Sequence, residues 1–204
     1  MYDEIRKLKF SSFPNLVRLD LSNMTLRGSI PNEIGTLSKL TYHDLSNNYL
    51  EGELHITLEN LTQLVTFNIF YNSISGFIPK EVGNLKSLLK LYLGANAFIG
   101  PIPSSLGNLA NLVTLSLDSN HINGSIPSSL ANLANLVTLS LDSNQINGFI
   151  PSSLGNLTNL VTLSLASNQI SGFIPSSLGN LTNLVTLSLC LLLQTKSLVS
   201  SLLL

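Results

Sequence analysis

The feature that most constrains the fold of this chain is a phrase of 24 residues, present in seven complete copies in one unbroken register. Each copy opens with apolar residues at its first, fourth and sixth positions, except that the second copy has a histidine at the fourth. Because units of a fixed period pack mainly on their neighbours, the pattern predicts one elongated array instead of several globular domains. The complete copies begin at Leu16, Leu40, Leu64, Leu88, Leu112, Leu136 and Leu160, and a partial eighth begins at Leu184.

The positions within each repeat predict its local structure. Alternating apolar residues predict a short strand whose apolar side faces the core. An asparagine at the ninth position suits a ladder, because its amide can satisfy backbone groups that a turn leaves unpaired. His43 occupies a core leucine position, where we expect a neutral, buried imidazole. The ladder asparagines are Asn48, Asn72, Asn96, Asn120, Asn144 and Asn168.

The repeat pattern also sets the domain boundaries. We interpret residues 1–15 as the remnant of a preceding repeat, residues 16–189 as the repeat domain and residues 190–204 as an irregular apolar tail. The stretch 184–204 is long enough to span a membrane, but Lys196 near its centre disfavours a span. The preferred interpretation is therefore a truncated array.

Charge and cysteine content narrow the functional classes. Only 10% of the residues are charged and the net charge is −1, so no basic surface is available for nucleic-acid binding. The single cysteine, Cys190, cannot form an internal disulfide. The first ten residues carry charges of both signs and no apolar run. They therefore lack the pattern of a signal peptide, and the cellular location is left open.

The side chains between the core leucines should point to solvent on one face of the predicted sheet. In repeats 1–4 they include aromatic and charged residues, whereas in repeats 5–7 they are almost all serine and threonine. Exposed aromatic and charged residues typically anchor binding, although such residues can also form only a solvated face. The candidate ligand-binding residues are Tyr42, Asp44, Asn68, Phe70, Tyr71, Lys90 and Tyr92.

The sequence predicts neither a catalytic site nor a metal site. Ser116, Ser140 and Ser164 are copies of one repeat position, with no base beside them to activate a nucleophile. Asp118 and Asp142 are like charges on neighbouring strands, but calcium requires more oxygen ligands than this pair supplies. We therefore predict no enzyme activity, no catalytic residue, no metal and no cofactor.

The phrase LxxLxLxxNxLxGxIPxxLGxLxxL, matched over residues 16–189, resembles the plant-type leucine-rich repeat, and GxIP is its most specific element. The sequence FSSFPNLVRLDLSN further resembles the ectodomains of plant leucine-rich-repeat receptor-like kinases. The resemblance implies an α/β-class solenoid. Such a solenoid is a right-handed superhelix with a parallel β-sheet on its concave face, and is mostly β with 3-10 or short helical turns.

The same resemblance implies a function. The chain would be a protein- or peptide-binding module from the extracellular domain of a plant receptor-like kinase or receptor-like protein in signalling or defence. Its partner would be a peptide or protein ligand, with another leucine-rich-repeat ectodomain as co-receptor. The parent protein would lie at the cell surface or outside the cell, with membrane contact only through a region outside this chain.

Two alternatives to this function stay open. One is a secreted inhibitor of microbial polygalacturonases, and the other is a truncated product of a serine/threonine receptor kinase gene with no activity of its own. In the parent ectodomain, the sequons at Asn60, Asn156 and Asn180 are expected on the outer side as N-glycosylation sites.

Overall fold

The computed structural model describes residues 5–189, and strands recur through this range at the period of the repeat. The strands are β1 (Arg18–Asp20), β2 (Arg27–Gly28), β3 (Tyr42–Asp44), β4 (Tyr49–Glu53), β5 (Thr66–Asn68), β6 (Ser73–Phe77), β7 (Lys90–Tyr92), β8 (Ala97–Pro101), β9 (Thr114–Ser116), β10 (His121–Asn123), β11 (Thr138–Ser140), β12 (Asn147–Gly148), β13 (Thr162–Ser164), β14 (Gln169–Ile170) and β15 (Thr186–Ser188).

Short 3-10 turns return the chain from one repeat to the next. They span Ile5–Lys7, Phe10–Ser12, Asn32–Thr36, Ile56–Asn60, Lys80–Asn84, Ser104–Asn108, Ser128–Asn132, Ser152–Asn156 and Ser176–Asn180. Within residues 5–189, no helix is long and apolar enough to cross a membrane. The predicted tail, residues 190–204, lies outside the described residues.

The odd-numbered strands form one parallel sheet of eight strands in chain order. Each strand pairs with the same positions of the next repeat, so that Leu139 lies opposite Leu163. The even-numbered strands form a parallel sheet of five strands and a separate pair, β12 and β14. Backbone hydrogen bonds continue between these two groups, since the N–H of Gln145 donates to the carbonyl of Ile122 at 2.8 Å. The parallel strands and 3-10 turns confirm the predicted fold class.

One apolar cluster runs through the described chain between the two sets of strands. The leucines at the first, fourth and sixth positions of repeats 5 and 6 are at most 1% exposed. Ile5 and Phe10, in the segment before the first repeat, are 0% and 2% exposed and join the same cluster. The residues before the first repeat therefore cover that end of the core.

His43 occupies its core position as an isolated polar group. It is fully buried, and its ring stacks on Phe67 with 5.3 Å between the centroids. Neither ring nitrogen has a hydrogen-bond partner among the described residues. Burial lowers the pKa of His43 to about 4, although the neighbouring charge of Asp44 acts in the opposite direction. The imidazole is therefore neutral at neutral pH, which confirms the prediction.

The residue at the eighth position of each complete repeat has left-handed backbone geometry. The φ angles at this eighth position lie between +51° and +60°. This conformation is tolerated by asparagine but is uncommon for other residues with a side chain. The turn after each strand therefore imposes a local conformational cost that differs between repeats. The residues at this position are Asn23, Asn47, Tyr71, Ala95, Ser119, Ser143 and Ser167.

Candidate ligand-binding face

The eight-stranded sheet presents a solvent face, called here the concave face. In the strands of this sheet from β3 to β13, the middle side chain enters the core and the two flanking side chains point outward, as in β7, where Leu91 is buried between Lys90 and Tyr92. We call repeats 1–4 (residues 16–111) the variable half and repeats 5–7 (residues 112–183) the uniform half. The two halves have the same backbone fold and differ in the side chains that they expose on the concave face.

A network of side chains crosses β1, β3 and β5 of the variable half. The guanidinium of Arg18 lies 3.5 Å from the centroid of the Tyr42 ring. The Tyr42 hydroxyl donates to Asp44 Oδ2 at 3.0 Å, and Asn68 Nδ2 donates to the same oxygen at 2.9 Å. The other oxygen, Asp44 Oδ1, accepts from the backbone N–H and the hydroxyl of Ser46. Four donors therefore satisfy a carboxylate that is only 8% exposed.

The same network shifts the pKa of two groups at its edge. Hydrogen bonds from the hydroxyl and backbone N–H of Ser22 lower the pKa of Asp20, and the guanidinium of Arg18 adds to this effect. Partial burial raises the pKa of Tyr42, and its hydrogen bond to Asp44 raises it further. The phenol is therefore held as a hydrogen-bond donor, and Asp20 is held as an anion.

A shallow depression of about 430 Å³ lies next to this network on the concave face. It runs from the turn after β3 across β5, β7, β9 and β11, and Phe70 and Tyr92 supply its aromatic surface. Asn68 lines it as well, with its amide already engaged by Asp44 and by the backbone N–H of Phe70. Serine and threonine side chains of β9 and β11 complete the lining. The depression therefore spans the boundary between the variable and uniform halves.

The structure separates the seven candidate residues into three groups. Asn68, Phe70 and Tyr92 line the depression. Tyr42 and Asp44 belong to the network beside it, where Asp44 is nearly enclosed. Lys90 is exposed on β7 next to Tyr92, while Tyr71 is 63% exposed on the turn after β5. Their roles in ligand binding stay predictions.

The ladder asparagines connect adjacent repeats through their side-chain amides. Asn120 Oδ1 accepts from the N–H of Phe98 in the preceding repeat at 2.9 Å. Its Nδ2 donates to the carbonyls of Leu93 and Leu117, each at 3.1 Å. Equivalent bonds to the preceding repeat recur at Asn48, Asn72, Asn96, Asn144 and Asn168.

The predicted glycosylation sites share one place in the repeat. Asn60, Asn156 and Asn180 each end a 3-10 turn, and all three are exposed. The 3-10 turns lie on the opposite side of the repeat from the eight-stranded sheet, so a glycan on any of these residues would leave the concave face open.

Sequence reasoning missed a second ladder on the side of the 3-10 turns. Asparagines at the last position of the repeat donate through Nδ2 to a carbonyl of the preceding repeat, at 2.8 to 3.0 Å. Serine hydroxyls of the 3-10 turns make a parallel set of bonds, as from Ser129 to the carbonyl of Ser104. The 24-residue period of these asparagines was the available signal. The outer-ladder asparagines are Asn111, Asn135, Asn159 and Asn183.

Gly94 was also missed, although it stands where other repeats carry a side chain on the concave face. A Cβ atom at this position would lie 2.8 Å from Asp118 Oδ1 and 3.0 Å from Phe70 Cε2. Both side chains therefore occupy space that only glycine leaves open at this position. The sequence signal was the glycine itself, because the seventh position holds Ser46 in repeat 2 and Phe70 in repeat 3.

Comparison with protein families identifies the type of repeat in this array. A family model described as "Leucine-rich repeat region" matches residues 91–203, and a "Leucine Rich Repeat" model matches residues 15–37 and 63–85. The chain belongs to the leucine-rich repeat family. No curated protein matches it in sequence.

Solved leucine-rich-repeat structures resemble the chain over most of its length. The Arabidopsis receptor kinase HAESA, in complex with the peptide hormone IDA and the co-receptor SERK1, is 37% identical over 87% of this chain, with a TM-score of 0.82. The plant peptide hormone receptor RGFR1, in complex with RGF2, is 35% identical over 87%, with a TM-score of 0.79. A plant ice-binding protein is 27% identical over 85%, with a TM-score of 0.70.

These matches cover different shares of the solved chains. The leucine-rich repeats described here correspond to 30% of the HAESA chain and 33% of the RGFR1 chain. They correspond to 57% of the ice-binding protein. The chain thus spans about a third of the length of the receptor ectodomains that it matches.

Proposed function

We propose that this chain is the ligand-binding part of the extracellular domain of a plant receptor-like kinase or receptor-like protein, and that it binds a peptide on its concave face. The observation that carries the proposal is the depression between Phe70 and Tyr92, next to the Asp44 network. Aromatic side chains that are fixed on a sheet supply a large contact area with little loss of conformational entropy on binding.

The Asp44 network gives the site a rigid border before any ligand arrives. Tyr42 and Asn68 are held through one carboxylate, and Asn68 itself lines the depression. Since the side chains are already ordered, a ligand does not have to order them. Asp44 thereby acts as a positioning residue for Asn68 in this proposal, while Asn68, Phe70 and Tyr92 contact the ligand.

The solved relatives support peptide binding as the class of function. Two receptors of similar fold were solved with peptide hormones, and one of those structures includes a co-receptor. On this proposal, the chain acts at the cell surface, in signalling or defence, without enzyme activity of its own. It would recruit a second leucine-rich-repeat ectodomain, and would carry glycans at Asn60, Asn156 and Asn180 on the side away from the ligand.

Calorimetric titration of the full chain tests peptide binding. The probes are synthetic IDA, synthetic RGF2 and a fractionated pool of plant extracellular peptides. We expect at least one probe to bind with a Kd of about 10 μM or lower, and Phe70→Ala or Tyr92→Ala to weaken it by about tenfold or more. Phe149→Ala is the matched control, because this ring is 70% exposed but directly follows β12, away from the concave face. Absence of binding by all probes would contradict the proposal.

A second candidate function, ice binding, is favoured by the surface of the uniform half. Strands β9, β11, β13 and β15 all read Thr-Leu-Ser and pair in register. Their hydroxyls form a lattice with strands about 4.8 Å apart and outward residues about 6.6 Å apart along each strand. Such a regular hydroxyl array on a rigid sheet can order a layer of water. Similarity to a plant ice-binding protein supports this candidate.

Thermal hysteresis of a solution of the full chain tests the ice-binding candidate. We expect a measurable hysteresis gap that Thr138→Tyr abolishes, because a bulky ring interrupts the lattice. Gln145→Tyr, which changes an exposed residue after the ladder asparagine, should leave the gap unchanged. A wild-type chain without hysteresis or crystal shaping would exclude this second function and leave the peptide proposal untouched.

A further inference from the structure

The depression on the concave face has an unusual chemical composition for a binding site. All of its lining side chains are uncharged: they are serine, threonine, asparagine, phenylalanine and tyrosine. The charged residues nearby do not line it. Asp44 is enclosed by its four donors, and Asp118 accepts a hydrogen bond from Ser116 at 2.5 Å. Lys90 stands on β7, level with Thr66 and Thr114 on the adjacent strands.

This composition sets what can bind there. A charged ligand group entering the depression would lose hydration without meeting an opposite charge on the lining, which is unfavourable. Hydroxyl and amide groups can instead pair with the N–H and C=O groups of a peptide backbone. Thr114 of β9 and Thr138 and Ser140 of β11 supply such groups. The lining therefore favours a neutral ligand segment with an accessible backbone.

The dimensions of the depression set the length of that segment. It crosses five neighbouring repeats of one sheet, from the turn after β3 to β11. Four spacings of about 4.8 Å amount to about 19 Å, which an extended peptide covers with about six residues. Phe70 and Tyr92 lie near the middle of this path, on the third and fourth repeats. They can contact one aromatic or branched apolar side chain of the ligand.

We propose that the depression selects an extended, uncharged peptide segment of about six residues, with one bulky apolar side chain placed against Phe70 and Tyr92. This inference rests on the proposed peptide-binding function and adds the class of ligand. Charge on the rest of the ligand is read outside the lining, where Lys90 is exposed on β7 beside Thr114.

Selection from a displayed library of random peptides of about seven residues, against the immobilised full chain, tests this inference. We expect enriched peptides that lack Asp, Glu, Lys and Arg over about six positions and share one bulky apolar residue. Their affinity should change by less than about twofold between ~50 mM and ~500 mM NaCl. Enriched peptides with conserved charges and a strong salt dependence would overturn the inference while leaving peptide binding intact. Failure to enrich any peptide would overturn both.

Matched variants locate the binding site. Thr138→Val with Ser140→Ala removes two hydroxyls from the lining, and Thr162→Val with Ser164→Ala removes the same pair from β13, outside the depression. We expect about tenfold weaker binding of an enriched peptide for the first pair and less than about twofold change for the second. Both pairs are nearly isosteric, and circular dichroism checks that they fold alike. Equal effects of the two pairs would exclude the depression as the site.

Discussion

The variable and uniform halves have the same backbone fold, yet their side chains form networks on different faces. In the variable half the network lies on the concave face, and in the uniform half it lies on the side of the 3-10 turns. On the concave face of the variable half, Tyr42 and Asn68 converge on Asp44 from two adjacent strands. In the uniform half, the corresponding positions repeat Thr-Leu-Ser, and residues 135–158 and 159–182 differ only at two positions. The repeat therefore supplies a stable frame, while departures from it on the solvent face create local structure that a ligand can recognise.

The reverse holds on the side of the 3-10 turns. There Asn135, Asn159 and Asn183 of the uniform half continue the outer ladder, which begins at Asn111, the last residue of the variable half. Repeats 1–3 of the variable half have Lys39, Gln63 and Ser87 at the same position, and only Ser87 makes the corresponding bond to a backbone carbonyl, through its hydroxyl at 2.8 Å. An outer-ladder asparagine is therefore present in every repeat of the uniform half and absent from the first three repeats of the variable half. Four predictions test how far this contrast extends.

The largest effect is expected where the two halves are alike. Asn72→Ala in the variable half and Asn144→Ala in the uniform half each leave buried backbone groups unpaired, including the N–H of Leu50 or Ile122. We expect each substitution to lower the free energy of unfolding by about 3 kcal/mol or more, since each unpaired buried group costs about 1–3 kcal/mol. Urea denaturation measures this loss. The exposed Gln145→Ala is the control, and should change stability by less than about 0.5 kcal/mol.

A clear inequality would contradict the claim that the ladder is common to both halves. A loss below about 1 kcal/mol for Asn72→Ala, beside a loss of the expected size for Asn144→Ala, would mean that water or a rearranged turn replaces the amide in the variable half.

The second prediction uses the one histidine in the core of the variable half. The folded-state pKa of His43 is lowered from 6.5 to about 4, so the unfolded chain binds the proton more tightly. Its contribution to stability is complete above pH 6.5 and is lost as the pH falls toward 4. The loss amounts to about 3 kcal/mol. The cause is burial without a hydrogen-bond partner among the described residues.

His43→Leu provides the comparison, because leucine stands at the matching position of the uniform half, as at Leu115. We expect the variant to lose about 3 kcal/mol less than the wild type between pH ~7 and pH ~4. Chemical denaturation at several pH values measures the difference. Parallel pH profiles for the two proteins would show that the folded state accommodates the protonated imidazole of His43, through water or a hydrogen-bond acceptor.

These two tests also mark what the sequence could and could not predict. Period and alternation are enough to place Leu139 opposite Leu163 and to put His43 in the core, because both follow from register alone. The use of Asp44 inside a network could not be predicted the same way. It depends on Tyr42 and Asn68 reaching the same carboxylate from different strands, which is a matter of side-chain geometry.

The full extent of the candidate site could not be predicted either, for a similar reason. Sequence reasoning ended the site at Tyr92, because the aromatic residues between the core leucines end there. The depression continues to Thr114 and Ser116, which look like ordinary members of the uniform half. Their position beside Tyr92, and not their identity, makes them part of the surface.

The third prediction transfers the outer ladder between halves. Gln63→Asn places the ladder residue at the matching position of the variable half, and we expect it to raise the free energy of unfolding by about 0.5–1 kcal/mol through one added hydrogen bond. Asn135→Ala removes such a bond in the uniform half, to the carbonyl of Ala110, and should cost about 1 kcal/mol. Thermal unfolding of both variants provides the measurement. Destabilisation by Gln63→Asn would show that the repeat spacing in the variable half does not accept this bond.

The smallest expected effect separates stability from binding at a single residue. Tyr71 has a φ of +60°, a left-handed conformation that asparagine adopts more readily, as Asn47 does at the same position one repeat earlier. We expect Tyr71→Asn to stabilise the fold by about 0.5–1 kcal/mol and, if this ring contacts the ligand, to weaken binding of a selected peptide by about threefold or more. Ser119→Asn changes the equivalent left-handed residue of the uniform half, so it should stabilise the chain without altering affinity. Denaturation and peptide titration on the same samples distinguish these results. If Tyr71→Asn stabilises the chain and leaves affinity unchanged, Tyr71 is a strained but inert residue, and the ligand surface is confined to the depression and its border.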